Sequence, residues 1–282
     1  MELKELTIKI CELFDCTHVD ELPIKIKSAL FGENPSCYFD KYAELCSDLS
    51  VDYLQKVFQF YHADRSDKKQ DYTPTMLARL VGMLTTSTKE KSVYDCCAGS
   101  GSLTIQKWVI NQNLKFVCEE LDENVIPLLL FNLSVRNIEA SVVNKNILTG
   151  EVVSSYELTR GVKYAVITKN LFIKEELQQC STGISNPPFN LKINACEYIS
   201  KCLPENYTSN FAFVAHCLQR SDRQVAIILP TGVLSSKEEL ECRRYYVEKG
   251  WLKAVISMPE NMFESTQIPT CILVFDKQKK SK

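Results

Sequence analysis

A chain of 282 residues with 45% hydrophobic and 24% charged side chains has a globular composition and enough apolar material for a large core. Its longest apolar runs, such as Val225 to Leu229, are far too short to cross a bilayer, and the charged start from Met1 to Glu5 lacks the apolar stretch of a signal peptide, so a soluble, cytoplasmic protein with no membrane partner is expected. Thirty-three basic residues against 35 acidic ones give a net charge of −2, which excludes a broadly basic surface that grips nucleic acid unaided: either a small basic cleft hides in a neutral average or another subunit supplies the grip.

Residues 1–64 read as helical. Leu6, Ile10 and Leu13 recur at helical spacing, as do Tyr38, Tyr42, Leu45 and Leu49, then Val51, Leu54, Phe58 and Tyr61. Pro23 and the Gly32-Glu33-Asn34-Pro35 segment punctuate this bundle, and the polar stretch 65–71 reads as a linker. From residue 72 to 282 the period changes. Short apolar or β-branched runs at 92–96, 115–118, 141–143, 183–185, 224–229, 252–257 and 271–275 alternate with helical patterns at 75–85, 102–110, 123–136, 209–219 and 236–249. This alternation predicts an α/β fold, a mostly parallel seven-stranded Rossmann-like sheet with helices on both faces. Only a loop joins the last two strands, so the final one is expected to turn antiparallel. Val152–Leu158 and Val162–Ile167 flank an Arg160-Gly161 turn and predict a hairpin insertion at 150–170. Ser235 and Glu238 offer a capping box for the last helix, and Gly250 a stop. The 13 cysteines include no C-x-x-C pair and several sit in apolar runs, so they are expected to be reduced and buried, with no metal site.

Three segments carry chemistry. The first is Val93-Tyr94-Asp95-Cys96-Cys97-Ala98-Gly99-Ser100-Gly101, a strand that runs through small residues into a helix. Gly99 and Gly101 let the backbone pass close to a ligand, and the helix start offers unpaired N–H groups. Asp95 at the strand end would repel phosphate and suits an ammonium group, which favours an amino-acid-bearing nucleotide such as S-adenosylmethionine. The second segment places Glu120, with Asp122 next in line, just past the second strand, where an acid can accept hydrogen bonds from ribose hydroxyls. The third is Ser185-Asn186-Pro187-Pro188-Phe189. Two prolines make a stiff turn that cannot extend the strand. The Asn186 amide oxygen and a backbone carbonyl supply two acceptors for the two hydrogens of an aromatic –NH2 group, and Phe189 can stack on a base taken out of the duplex.

With those residues in view, 71–276 resembles the adenine-N6 DNA methyltransferases, specifically the modification subunit of type I restriction–modification systems. The family's order is present: Asp71-Tyr72-Thr73-Pro74, then Asp95 to Gly101, Glu120, and Asn186 to Phe189. Ala226 to Leu234 and Met262 to Phe275 resemble its later strands. The resemblance implies that Asp71, Tyr72, Thr73 and Pro74 flank the methionine end of S-adenosylmethionine and that Asn186, Pro187, Pro188 and Phe189 hold the adenine. It also implies DNA as substrate and a separate DNA-specificity subunit as partner. Two residues depart from the family's pattern. Cys96 stands where the family usually has proline, and Asn146 where an Asp binds the cofactor's adenine amine, a bond that the Asn146 amide oxygen can still accept. No part of the sequence resembles a target-recognition domain. Methylation of another planar amine (guanine N2 in RNA, or a protein glutamine) and a catalytically silent scaffold are the alternative readings.

Overall fold

The computed structural model describes residues 2–61, 73–170, 179–191, 201, 203–204, 207–260, 262–263 and 267–278, with the backbone alone at 59–61. The expected linker 65–71 and the residues Asp71 and Tyr72 lie outside the described residues. Four helices come first: α1 (Leu3–Leu13), α2 (Leu22–Leu30), α3 (Pro35–Leu45) and α4 (Tyr53–Tyr61). The break between α2 and α3 is local chemistry. Asn34 accepts the Cys37 N–H at 3.3 Å, capping α3, and Pro35 fills a first-turn position that needs no donor.

The remaining elements are α5 (Thr75–Leu84), β1 (Ser92–Asp95), α6 (Ser102–Ile110), β2 (Lys115–Glu120), α7 (Ile126–Val135), β3 (Glu139–Lys145), β4 (Val152–Thr159), β5 (Val166–Lys169), β6 (Cys180–Ser185), α8 (Ser209–Gln219), β7 (Ser221–Pro230), α9 (Leu240–Glu248), β8 (Leu252–Ser257) and β9 (Thr270–Asp276). The nine strands among the described residues join one sheet in the order β5-β4-β3-β2-β1-β6-β7-β9-β8. This corrects the expected mostly parallel seven-stranded sheet. The five strands from β3 to β7 in that order are parallel. β9, by contrast, runs antiparallel to both neighbours, and β4 and β5 add two antiparallel strands at the other edge. The hairpin thus extends the sheet, because β4 pairs along β3 and satisfies what would otherwise be an open edge.

Every residue of α7 is buried. It is apolar apart from Asn132 and Ser134 because one side meets the sheet and the other meets the N-terminal helices, with Phe14, Phe39 and Tyr42 ringing Phe131 at centroid distances of 5.2, 5.0 and 5.1 Å. The first four helices and the sheet therefore share one core. The last helix starts later than expected: the Ser235–Glu238 capping box does not form, and Ser236 instead donates to Glu239 at 3.1 Å ahead of Leu240. Gly250 follows that helix at φ +68. Among the described residues, no helix is long and apolar enough to cross a membrane.

The order of connection switches sides between the parallel neighbours β1 and β6, so the C-terminal ends of β1, β2 and β6 open into a crevice where ligands of open α/β sheets sit.

Candidate active site

A cavity of about 520 Å³ fills that crevice. Its wall includes Thr73, Gly99, Ser100, Glu120, Asp122, Asn146, Asn186, Pro187 and Pro188 from the expected set. Pro74, Asp95, Gly101 and Phe189 are not among the residues that line it. Sequence reasoning missed Cys97, Lys145, Leu148 and Phe213, which also line it. Phe213 sits on α8 among other apolar residues and reads from sequence as ordinary core.

The turn after β1 explains both glycines. Gly99 has φ +56 and Gly101 φ +102, conformations that side chains resist. A Cβ on Gly101 would meet Leu129 at 3.0 Å, so this glycine lets α6 settle onto α7. A Cβ on Gly99 would meet nothing within 4 Å and would project into open space beside the cavity. The Gly99 N–H donates to Glu120 Oε2 at 2.8 Å, and the Asp122 N–H donates to Glu120 Oε1 at 2.8 Å. Burial pushes the Glu120 carboxyl above its ordinary range. Its neighbour Glu119 faces the opposite side of the strand, as period-2 geometry requires. There it binds Tyr94, His216 and Arg220 in a buried cluster. Burial alone would raise the Glu119 carboxyl, but the hydrogen bond and charge of His216, with the charge of Arg220, bring it down to about 2.

Asp95 is fully buried at the end of β1. Thr104 donates to its Oδ2 at 2.9 Å, while Oδ1 has no hydrogen-bond partner, and burial raises the carboxyl to about 8. Cys96, in the position of the family's proline, donates its thiol to Ser185 at 3.1 Å and so ties β1 to β6. Asn146 departs from expectation in detail. Its Oδ1 accepts the N–H groups of Leu148 at 3.0 Å and Thr149 at 3.3 Å, so the oxygen expected to take an adenine amine is occupied by its own turn. Asp122 likewise closes a small turn, accepting the Asn124 N–H at 3.0 Å.

Asn186 and Thr73 come together across 113 residues of chain: the Asn186 amide nitrogen donates to the Thr73 hydroxyl at 3.0 Å. With that nitrogen engaged, the amide is held in one orientation. Pro187 and Pro188 follow in the cavity wall. Phe189 turns away, 5% exposed, with its ring edge-to-face on Phe263 at 6.4 Å. Among the described residues, no group of three or more His, Cys, Asp or Glu side chains is arranged to hold a metal ion.

Over 258 residues the chain is 26% identical to the type I restriction enzyme MpnII methylase subunit of Mycoplasma pneumoniae. That alignment takes in 83% of this chain and 46% of the relative, so the chain spans about half the length of this curated relative. Among solved structures, the type I restriction-modification methyltransferase subunit of Streptococcus thermophilus superposes with a TM-score of 0.64 at 18% identity, covering 99% of this chain and 66% of that one. A Listeria monocytogenes chain assigned to the class I S-adenosylmethionine-dependent methyltransferases gives 0.68 at 14% identity, covering 99% and 87%. These two likenesses show an α/β methyltransferase fold. Residues 50–282 match the family described as N-6 DNA Methylase. This chain belongs to that N-6 DNA Methylase family.

Proposed function

We propose that the chain transfers a methyl group from S-adenosylmethionine to the exocyclic N6 amine of an adenine turned out of DNA, as the modification part of a type I restriction–modification system. One observation carries the reading: the Asn186-Pro187-Pro188 turn and the Gly99-to-Glu120 turn face the same cavity. The residues fit the cofactor. Gly99 leaves open space where any side chain would intrude, and Glu120, fixed by two backbone N–H groups, keeps lone pairs for ribose hydroxyls. Asp95, next to Cys96 in the wall, would serve the methionine ammonium once it gives up the proton that burial holds on it, and Asn146 would offer its amide nitrogen at the adenine end. When bound, the cofactor supplies an electrophilic methyl group on a sulfonium.

The protein's part is to aim the amine at that methyl. The Asn186 amide oxygen and the Pro187 carbonyl accept the two amine hydrogens, which draws the nitrogen lone pair out of the ring and toward the methyl carbon. The cofactor would give up its methyl group and depart as a neutral thioether, and the surplus amine proton would pass from the acceptor pair to solvent. Stacking by Phe189 requires that ring to part from Phe263, so base entry includes repacking of this pair. The division of labour that follows has residues 72–282 carrying the chemistry and residues 1–64 docking a separate DNA-specificity protein. Exposed Ile8 and Ile24 on α1 and α2 support such a docking face.

The test is transfer of labelled methyl from S-adenosylmethionine to DNA, RNA and protein substrates. Label is expected in DNA, at adenine N6. Asn186→Ala should lower the rate at least ~10²-fold, by analogy with loss of a preorganised polar group, with cofactor affinity near normal. Label in RNA or protein instead, or a fully active Asn186→Ala, would refute the assignment.

A further inference from the structure

Asp52 stands ahead of α4, only 5% exposed, and its carboxylate takes four donors. Oδ1 accepts the Gln55 N–H at 2.9 Å, the ordinary bond of a helix cap, and Asn132 Nδ2 at 2.9 Å. Oδ2 is used quite differently: it accepts the hydroxyls of Ser100 at 2.6 Å and Ser102 at 3.0 Å, one inside the glycine turn and one at the start of α6. Asn132 adds a second bond to the same turn, donating to the Ser100 carbonyl at 2.9 Å. Arg136 then holds Asn132 at 2.7 and 3.0 Å and the carbonyls of Leu49 and Val51 at 2.7 and 2.9 Å, which locks the segment before α4 in place.

One helical turn on, Gln55 continues the chain. Its Oε1 shares the single Ser102 hydroxyl proton with Asp52 Oδ2, its amide nitrogen donates to the Thr73 carbonyl at 3.4 Å, and the Thr73 hydroxyl accepts from Asn186 at 3.0 Å. An unbroken run of hydrogen bonds therefore links the glycine turn, through the first turn of α4, to the asparagine of the acceptor site. A helix cap needs only the Oδ1 bond; three further donors on Asp52 constrain a turn whose two glycines hold φ +56 and +102.

We propose that Asp52 and Gln55 are positioning residues, Asp52 setting the cofactor turn and Gln55 setting that turn's distance from Asn186. The inference rests on the reading of the cavity as the S-adenosylmethionine site. It assigns a role in the reaction to the helical N-terminal region, none of whose described residues lines the cavity.

The experiment uses the full chain with Asp52→Asn, Ser100→Ala, the double variant, and Gln55→Met. Three quantities are read: S-adenosylmethionine affinity by calorimetry, single-turnover methyl transfer at saturating cofactor, and the thermal midpoint. Asp52→Asn and Ser100→Ala should each weaken cofactor binding about 10-fold or more, as loss of a supporting hydrogen bond does elsewhere. The double variant should bind little worse than the weaker single one, because both break the same bond. Gln55→Met should leave affinity within about 2-fold and slow the saturated step by about 10-fold or more. Variants that lose only thermal stability, with affinity and saturated rate unchanged, would overturn the proposal. Should Asp52→Asn not fold, Ser100→Ala and Gln55→Met decide alone, and the binding arm needs no turnover. A wild-type chain that binds no S-adenosylmethionine overturns the cofactor reading and this inference with it. A binding wild type beside equally competent variants overturns the inference alone.

Discussion

Asp95 illustrates how much one carboxylate can say about its ligand. It is buried with one oxygen unpartnered and a pKa raised from 3.8 to about 8, chiefly by burial. A group whose folded pKa lies above its unfolded value holds a proton that the unfolded chain gives up. Its stabilisation is therefore complete below about pH 4 and is lost as pH rises to about 8. Thermal unfolding should show wild type losing ground to Asp95→Asn steadily from pH 4 to 8, the two curves running parallel above that. A constant offset across the range would show that Asp95 ionises normally. A cation brought close to Asp95 would lower this pKa, so cofactor binding should be accompanied by release of its proton. At this scale the sequence was only partly legible. Glu119 and Glu120 are both acids at a strand end, and only the alternation of strand faces sends one to the cavity and the other to Tyr94 and His216. Nothing in the sequence shows that Asn146 spends its oxygen on Leu148 and Thr149, because that bond depends on the local turn.

The elements themselves were more legible than their partners. Strand positions followed from short apolar runs bounded by turn residues, and the antiparallel last strand from the absence of a crossover helix. The sheet's extra width did not follow. Whether β4 and β5 stand apart or zip onto β3 is a long-range pairing choice, and this one carries a register shift at Asn144 and Lys145 that no local pattern announces. The depth of α7 has a sequence signal, since Ile126 to Val135 is apolar apart from Asn132 and Ser134, but its second partner has none. That partner is the ring of Phe14, Phe39 and Tyr42 closing on Phe131. Phe131→Ala should cost about 3–5 kcal/mol, and probes on α1–α4 and on the sheet should report the same urea midpoint. Two separated transitions would mean that the N-terminal helices unfold on their own, against the shared core.

On the scale of the molecule, the question is how a site for one base finds the right base. Affinity for duplex DNA comes mostly from phosphate neutralisation, and sequence is read by side chains set in a groove. This chain sets 33 basic residues against 35 acidic ones, and the basic tail at Lys277, Lys279, Lys280 and Lys282 is its only dense positive cluster. Lys277 itself is turned inward, donating to the carbonyls of Leu218 and Ser221 at 3.1 and 2.9 Å. A chain so balanced is expected to bind duplex DNA weakly at physiological salt. On the proposed reading the cavity takes a flipped base whatever its neighbours, so catalysis alone would confer no target sequence. The proposal therefore assigns choice of target to a docked specificity protein. Expressed alone in a host without adenine methylation, the chain should leave no single methylated motif, and co-expression with its specificity partner should produce one. Robust methylation at one defined sequence by the chain alone would show instead that it reads DNA itself. In that case a groove-reading surface would have to lie on this chain, against the balance of its charge.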